Sequence, residues 1–427
     1  MRIITVADLA RVLAPVPTDP RVVVSGNFAT PHVLLAGVDA ELPTYRLHAL
    51  NAQAGLPDRE GVELETAFVG PGMRRSPRLA YVPSRLSLVP RLFATTCPPD
   101  VVLVHTSVPR EGKVSLGIEV NILPAAIEAA RARGGLVIAQ VNTQMPYTFG
   151  DAELDVDDVD YAIEVDVTLT SPPPMVIDDV SAAIGDRVAT RVRDGSTLQL
   201  GIGAVPDAVL SGLTGRRGLR VWSEMFSDGV LALDRVGALD EDAVLTSSFL
   251  FGSPELYRWV DRNPRVAMLR TETTNEPSLI ARNPSMTSVN TALQVDLYAQ
   301  ANASRVAGRI YSGFGGQTDF IVGALHSQGG QAILALRSWH PRANVSTIVP
   351  MIDEPVTSFQ ATAIVTEQGT AEIWGHRDRD QARNLIDQAA HPDVRDELWE
   401  EARALHFTSA PTGPLPAPGT DPRHRQA

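Results

Sequence analysis

One carboxylate, Glu224, sits where a nucleophile would be useful. It ends the strand-like run Leu219 to Ser223 and precedes Met225-Phe226-Ser227-Asp228-Gly229, where turn residues begin. Ligands of open α/β sheets bind beyond the carboxyl ends of strands, and a carboxylate placed there can attack and form a covalent intermediate. A solvated strand-end glutamate fits the same residue type. Two glycine-rich turns could bring backbone amides to such a site. Gly201-Ile202-Gly203 separates strand-like Thr197 to Leu200 from a helical run starting at Val205. That arrangement can offer amides to an anion at a helix start, or it is simply a tight strand-to-helix turn. The second turn, Gly313-Phe314-Gly315-Gly316-Gln317, spends three glycines within four positions. So much conformational freedom is costly and is expected where backbone must approach a ligand or partner, although a plain β-turn also fits. Asn275, in Thr271-Glu272-Thr273-Thr274-Asn275-Glu276-Pro277, offers an amide donor or an ordinary turn.

Alternating short β-branched runs and helical patterns must position these groups, which is the signature of βαβ units around parallel sheets. In the first half, Arg21 to Ser25, Val101 to His105 and Leu136 to Val141 read as strands. Pro124 to Arg133 reads as a helix, with proline at its start and Gly134-Gly135 as its stop. Ser171-Pro172-Pro173-Pro174 reads as a connection, followed by an amphipathic helix over Ile177 to Val192. The second half predicts strands at Thr197 to Leu200, Leu219 to Ser223, Arg265 to Leu269, Ala332 to Leu336 and Ala361 to Thr366. Gly369 predicts a turn between two strands, with helices over Asp380 to Ala389 and Val394 to Leu405. The fold class expected is α/β, with two open domains of mostly parallel strands. Residues 1–190 form the first, 191–407 the second, and 408–427, rich in proline and poor in apolar anchors, a disordered tail.

Composition removes several functions. A net charge of −13 without a dense basic stripe argues against nucleic acid and anionic membrane as partners. No apolar run is long enough to span a bilayer and no signal peptide is read at Met1 to Asp8, so the expected location is cytoplasmic. Cys97 is the single cysteine, which rules out an internal disulfide. Lys113 is the single lysine and has no P-loop setting, which disfavours Schiff-base chemistry and P-loop nucleotide hydrolysis. The nine histidines show no metal-ligand spacing, and His105 reads as structural. The acidic run Asp151, Asp155, Asp157, Asp158 and Asp160 reads as a solvated surface loop.

Taken together, Val141 to Asp151, Gly201 to Ala208, Ser223 to Gly229, Ser288 to Leu293, Ser312 to Phe320 and Val365 to Gly369 resemble the acetyl-CoA hydrolase/transferase family. The likeness is strongest to its 4-hydroxybutyrate CoA-transferase branch and runs from about Arg21 to Leu398. It implies a CoA-transferase fold and CoA as substrate rather than as a resident cofactor. It requires neither metal nor redox group, and the partners it implies are acyl-CoA, a small carboxylic acid and further copies of the chain. Glu224 matches the family's nucleophile. Asn275, Gly313, Gly315, Gly316 and Gln317 match positions near the thioester oxygen and CoA, Gly201 and Gly203 join them as CoA-contacting turns, and Glu367 matches a second acid near the site. The chain departs from the family at Gln294, where an acid is common, and at Ala299-Gln300, where Gly-Gln or Gly-Asn is usual. Transfer of CoA between carboxylic acids is the first expectation. Acyl-CoA hydrolysis is its same-fold alternative, and a silent CoA-binding protein the alternative of another class.

Overall fold

A computed structural model describes residues 1–173 and 176–407. The tail expected from residue 408 onward, and the last residue of the Ser171 to Pro174 connection, lie outside the described residues. The first half builds an eight-stranded sheet from β1 (Arg2–Ile3), β2 (Arg21–Val24), β3 (Tyr45–His48), β4 (Val62–Thr66), β5 (Leu79–Tyr81), β6 (Val101–Thr106), β7 (Leu136–Asn142) and β8 (Tyr161–Val165). Its order is β1-β8-β7-β6-β2-β3-β4-β5, and every pairing is parallel. Strand order reverses between β2 and β6, so the loops after these strands open a crevice at the carboxyl edge.

The second sheet contains β9 (Thr197–Leu200), β10 (Arg220–Val221), β11 (Thr287–Asn290), β12 (Gln331–Ala335), β13 (Ala363–Val365) and β14 (Thr370–Glu372). They lie in the order β10-β9-β11-β12-β13-β14, parallel except for the terminal hairpin at Gly369. Both halves are therefore mixed α/β with mostly parallel strands.

Continuous apolar runs explain why both sheets are covered on both faces. Side chains alternate along each strand. Val22, Val24 and Leu103 thus enter a core on one face of the first sheet, and Val23, Val102 and Val104 enter a core on its other face. That second core continues through Leu198, Val221, Ile333 and Val365 of the second sheet. Leu334, Ile364 and Phe320 fill the far face. A middle core thus joins the halves. A strand at Phe149–Gly150 also pairs with Val266–Met268.

Two readings need revision in detail. The strand expected over Leu219 to Ser223 narrows to Arg220–Val221, flanked by isolated bridges from Leu219 to Leu239 and from Trp222 to Thr246. The acidic run is not simply solvated. Asp151 accepts the Arg270 N–H at 2.9 Å, and Asp160 accepts from Arg131 at 2.7 Å and from the Val137 N–H at 2.9 Å. Backbone donors left over at strand ends recruit these carboxylates. His105 packs as expected, buried between Ala29 O and the amides of Gln140 and Asn142.

Candidate active site

Glu224 follows β10 and is fixed by its own carbonyl, which accepts the N–H groups of Ser248 and Phe249 at 2.8 and 3.0 Å. Its carboxylate Oε2 accepts from Asn275 Nδ2 at 2.8 Å. Asn275 is fully buried, and its amide is oriented by Thr274 Oγ1, which donates to Asn275 Oδ1 at 2.8 Å. Trp222, two residues before Glu224, donates its indole N–H to Thr274 O at 2.9 Å. A short helix, Thr271–Thr274, therefore carries the amide and is tied to the strand that carries the acid.

The glycine loop closes over this pair. A Cβ at Gly316 would stand 1.9 Å from Glu224 Oε2 and 2.2 Å from Asn275 Nδ2, so no side chain fits there. Gly315 has φ +56, a left-handed conformation that side chains disfavour. The first half of the chain holds this loop: Val69 N–H donates to Ser312 O at 2.7 Å and Leu86 N–H to Gly315 O at 3.0 Å. The ring of Phe68 lies against Gly313 and Gly315.

Not every residue singled out in the sequence gathers here. Gln317 opens the helix Gln317–His326 and donates to Thr291 O at 3.0 Å. Gly201 follows β9, whose neighbour β10 leads to Glu224, and Ser223 Oγ donates to Leu200 O at 3.3 Å. Gly203 caps the helix Ala204–Gly212 with φ +120 and open space around it, so backbone conformation rather than crowding demands a glycine. Glu367 lies beyond β13 and is bound by Ser338, through its N–H at 3.0 Å and its hydroxyl. No hydrogen bond joins it to Glu224 or Asn275 among the described residues.

Electrostatics single out Glu224. Burial pushes its carboxyl up to about 7; the Asn275 amide opposes that rise and the charge of Asp319 adds to it. Asp319 is raised to about 6, chiefly by burial. Among the described residues its Oδ2 has no hydrogen-bond partner, and Arg85 stands 3.9 Å from Oδ1. Asp319 lies within the motif Ser312 to Phe320, where nothing local marks it as part of the site. Glu119 is a further buried acid outside the sequence motifs, and its setting between Ile118 and Val120 in an apolar run is the one local signal for it.

Comparison with known proteins matches this architecture. Models of the acetyl-CoA hydrolase/transferase N-terminal and C-terminal domains match residues 61–171 and 252–402. Glu224 lies between the two matched stretches. The chain belongs to the acetyl-CoA hydrolase/transferase family and is an enzyme of the CoA-transferase and acetyl-CoA hydrolase kind. It is 39% identical over 349 residues to the 4-hydroxybutyrate coenzyme A transferase of Clostridium kluyveri, covering 78% of this chain and 80% of that one. It is 35% identical over 407 residues to the succinyl-CoA:acetate/propanoyl-CoA:succinate CoA transferase of Fasciola hepatica, covering 89% and 84%. Among solved structures, RipA from Yersinia pestis superimposes with a TM-score of 0.88 at 28% identity, covering 95% of this chain and 98% of that one. No helix among the described residues is long and apolar enough to cross a membrane.

Proposed function

We propose that this enzyme moves CoA between an acyl-CoA and a small carboxylic acid such as acetate, through a covalent glutamyl-CoA on Glu224. The observation that carries the reading is a half-buried carboxylate under the glycine loop, held by one amide, 2.8 Å from Asn275, with no cation bonded to it among the described residues. Such a carboxylate is poorly stabilised and correspondingly nucleophilic once ionised, and the covering loop limits competing water. Glu224 attacks the thioester carbonyl to give a mixed anhydride and CoA thiolate. The thiolate returns to the glutamyl carbonyl and expels the first carboxylate. An acceptor acid reverses both steps and leaves as the new acyl-CoA. The Asn275 amide and the N–H groups of the glycine loop serve the tetrahedral oxyanions.

The relatives' names and the intact glycine loop support this reading over a silent binding protein. Assays across several acyl-CoAs, with and without acetate, test it. Acetate-dependent formation of acetyl-CoA supports transfer, whereas CoA release at the same rate without any acceptor makes the enzyme a hydrolase. We also propose a cytoplasmic homo-oligomer, with domains at 1–190 and 191–407. A monomer by light scattering at micromolar concentration removes the oligomer.

A further inference from the structure

The amide that holds Glu224 rides on one turn of helix, Thr271–Thr274, and so short a helix does not persist without outside support. Its far end is tied to the strand of Glu224 through the Trp222 indole. Its near end is fixed by the first half of the chain. Val266–Met268 pairs with Phe149–Gly150, the Arg270 N–H donates to Asp151 at 2.9 Å, and the Thr271 N–H donates to Asn121 O at 3.0 Å. Arg270 O accepts the N–H groups of Thr273 and Thr274 at 3.0 Å, and Thr271 O accepts that of Asn275 at 3.0 Å.

The Arg270 side chain adds the most directional of these ties. Its Nη1 and Nη2 donate to the two carboxylate oxygens of Glu128 at 2.7 and 2.9 Å. Its Nε and Nη2 donate to Glu272 Oε1 at 3.0 and 2.7 Å. Four of the five guanidinium N–H groups are thereby engaged. Glu128 lies on the helix Leu123–Arg131 of the first half and Glu272 on the one-turn helix itself, so the guanidinium joins the two across 142 positions of sequence. A two-point arginine–carboxylate contact fixes orientation as well as distance, which a lysine does not reproduce. With the Glu128 side chain 64% exposed, the pair contributes little to stability, so geometry is what it supplies.

We propose that Arg270 is a positioning residue for Asn275. By clamping the one-turn helix to Glu128 of the first half, it sets where the Asn275 amide meets the Glu224 carboxylate. The inference rests on the reading of Glu224 as nucleophile and Asn275 as its amide. Arg270 itself bonds to the two acids and acts on the reaction only through the turn that carries Asn275.

Placement at a reacting carboxylate tolerates little error, since a displacement of about 1 Å can cost about a hundredfold in rate. Without the clamp the turn is held at its near end by backbone bonds alone and is free to tilt about them. The amide then leaves the line it holds to Glu224 before attack and the position from which it serves the oxyanion afterwards. Groups that bind CoA and the acid elsewhere in the crevice stay in place, so the loss falls on kcat rather than KM.

The test is a double-mutant cycle on transfer from acetyl-CoA or butyryl-CoA to a carboxylic acid, in the full chain. Arg270→Gln should lower kcat about tenfold or more, with both KM values within about twofold of the parent. Arg270→Lys, which keeps the charge but not the fork, should lose most of the same factor. Should neither fold, Glu128→Ala removes the clamp from an exposed position and should act in the same sense. In the Asn275→Ala background each of these changes should cost nothing further. Equal losses in both backgrounds, or a parent-like kcat in the clamp variants, overturn the proposal. The second readout needs no turnover: the nitrogen-15 resonance of the Asn275 side-chain amide, assigned by its absence in Asn275→Ala, should move or broaden in Arg270→Gln and in Glu128→Ala. An unmoved resonance also overturns the proposal. If the parent transfers nothing, the nucleophile reading fails by itself, and the amide resonance still decides whether Arg270 places Asn275.

Discussion

Two glutamates, one buried in the first half and one half-buried in the second, are treated in opposite ways. Glu65, on β4, meets Arg21 at 3.0 Å and His48 at 2.8 Å. Burial alone would raise its carboxyl, but bonds and charge from His48 and Arg21 more than reverse this and hold it at about 2. Glu224 receives an amide in place of a cation, and burial leaves it at about 7. A buried acid with a cation is fixed as an anion and becomes structure. One without a cation stays costly to ionise, and that cost is what an attacking carboxylate can release.

The comparison breaks most visibly if Glu224 is removed. Glu224→Ala should lose transfer by roughly 10⁴-fold or more in kcat/KM, because oxyanion donors cannot replace a nucleophile. Glu224→Gln should be equally inactive yet more stable than the parent above neutral pH, by ~1–3 kcal/mol in urea unfolding. The sign follows from a folded carboxyl raised above its unfolded value. The native state then binds more protons, so this site's stability contribution falls as pH rises from about 4.5 toward about 7. Gain of stability with loss of activity is the signature of an acid kept for chemistry.

Glu65→Gln should do the reverse, destabilising by roughly 3–5 kcal/mol while folded molecules keep their transfer rate. Because its folded carboxyl is lowered, Glu65 contributes its stability above about 4.5 and loses it as pH falls toward about 2. Acid unfolding of the parent and the variant should therefore converge over that window. Asn275→Ala sharpens the contrast within the site. It should cost transfer about 10²–10³-fold, with little change in the unfolding midpoint of the rest of the fold.

Much of this arrangement could be read from the chain. β9 coincides with the strand-like run Thr197 to Leu200, and the hairpin at Gly369 forms where its turn residue stands. Such features depend on neighbours in sequence. The proton affinities do not. Whether a buried glutamate meets Arg21 or Asn275 is settled by residues 44 and 51 positions away, beyond any local pattern. Glu119 shows in the sequence only as an acid inside an apolar run, because its partner Asn27 is 92 residues distant. The helix expected over Asp380 to Ala389 was legible, but its last turn, Leu385–Ala389, winds as a π-helix.

The smallest expected effect concerns a family departure noted in the sequence. Ala299, where the family resemblance leads one to expect glycine, adopts φ +57 and is buried beside Asp296, whose carbonyl accepts its N–H at 2.9 Å. Relief of left-handed strain should outweigh the added unfolded-state freedom, so Ala299→Gly should raise stability by up to about 1 kcal/mol, read as a small rise in Tm. A fall would mean that the Ala299 methyl contributes more packing than its backbone costs.

The bonds from Val69 and Leu86 to the glycine loop bear on how this enzyme can be recombined. The loop that covers Glu224 belongs to one half of the chain, and its latch belongs to the other. A chimera that takes its halves from two relatives inherits a loop from one parent and a latch from another, and both can fold while the loop rests in the wrong register. Substrate range in such proteins is therefore better altered by exchanging the latch segments together with the loop than by shuffling whole halves.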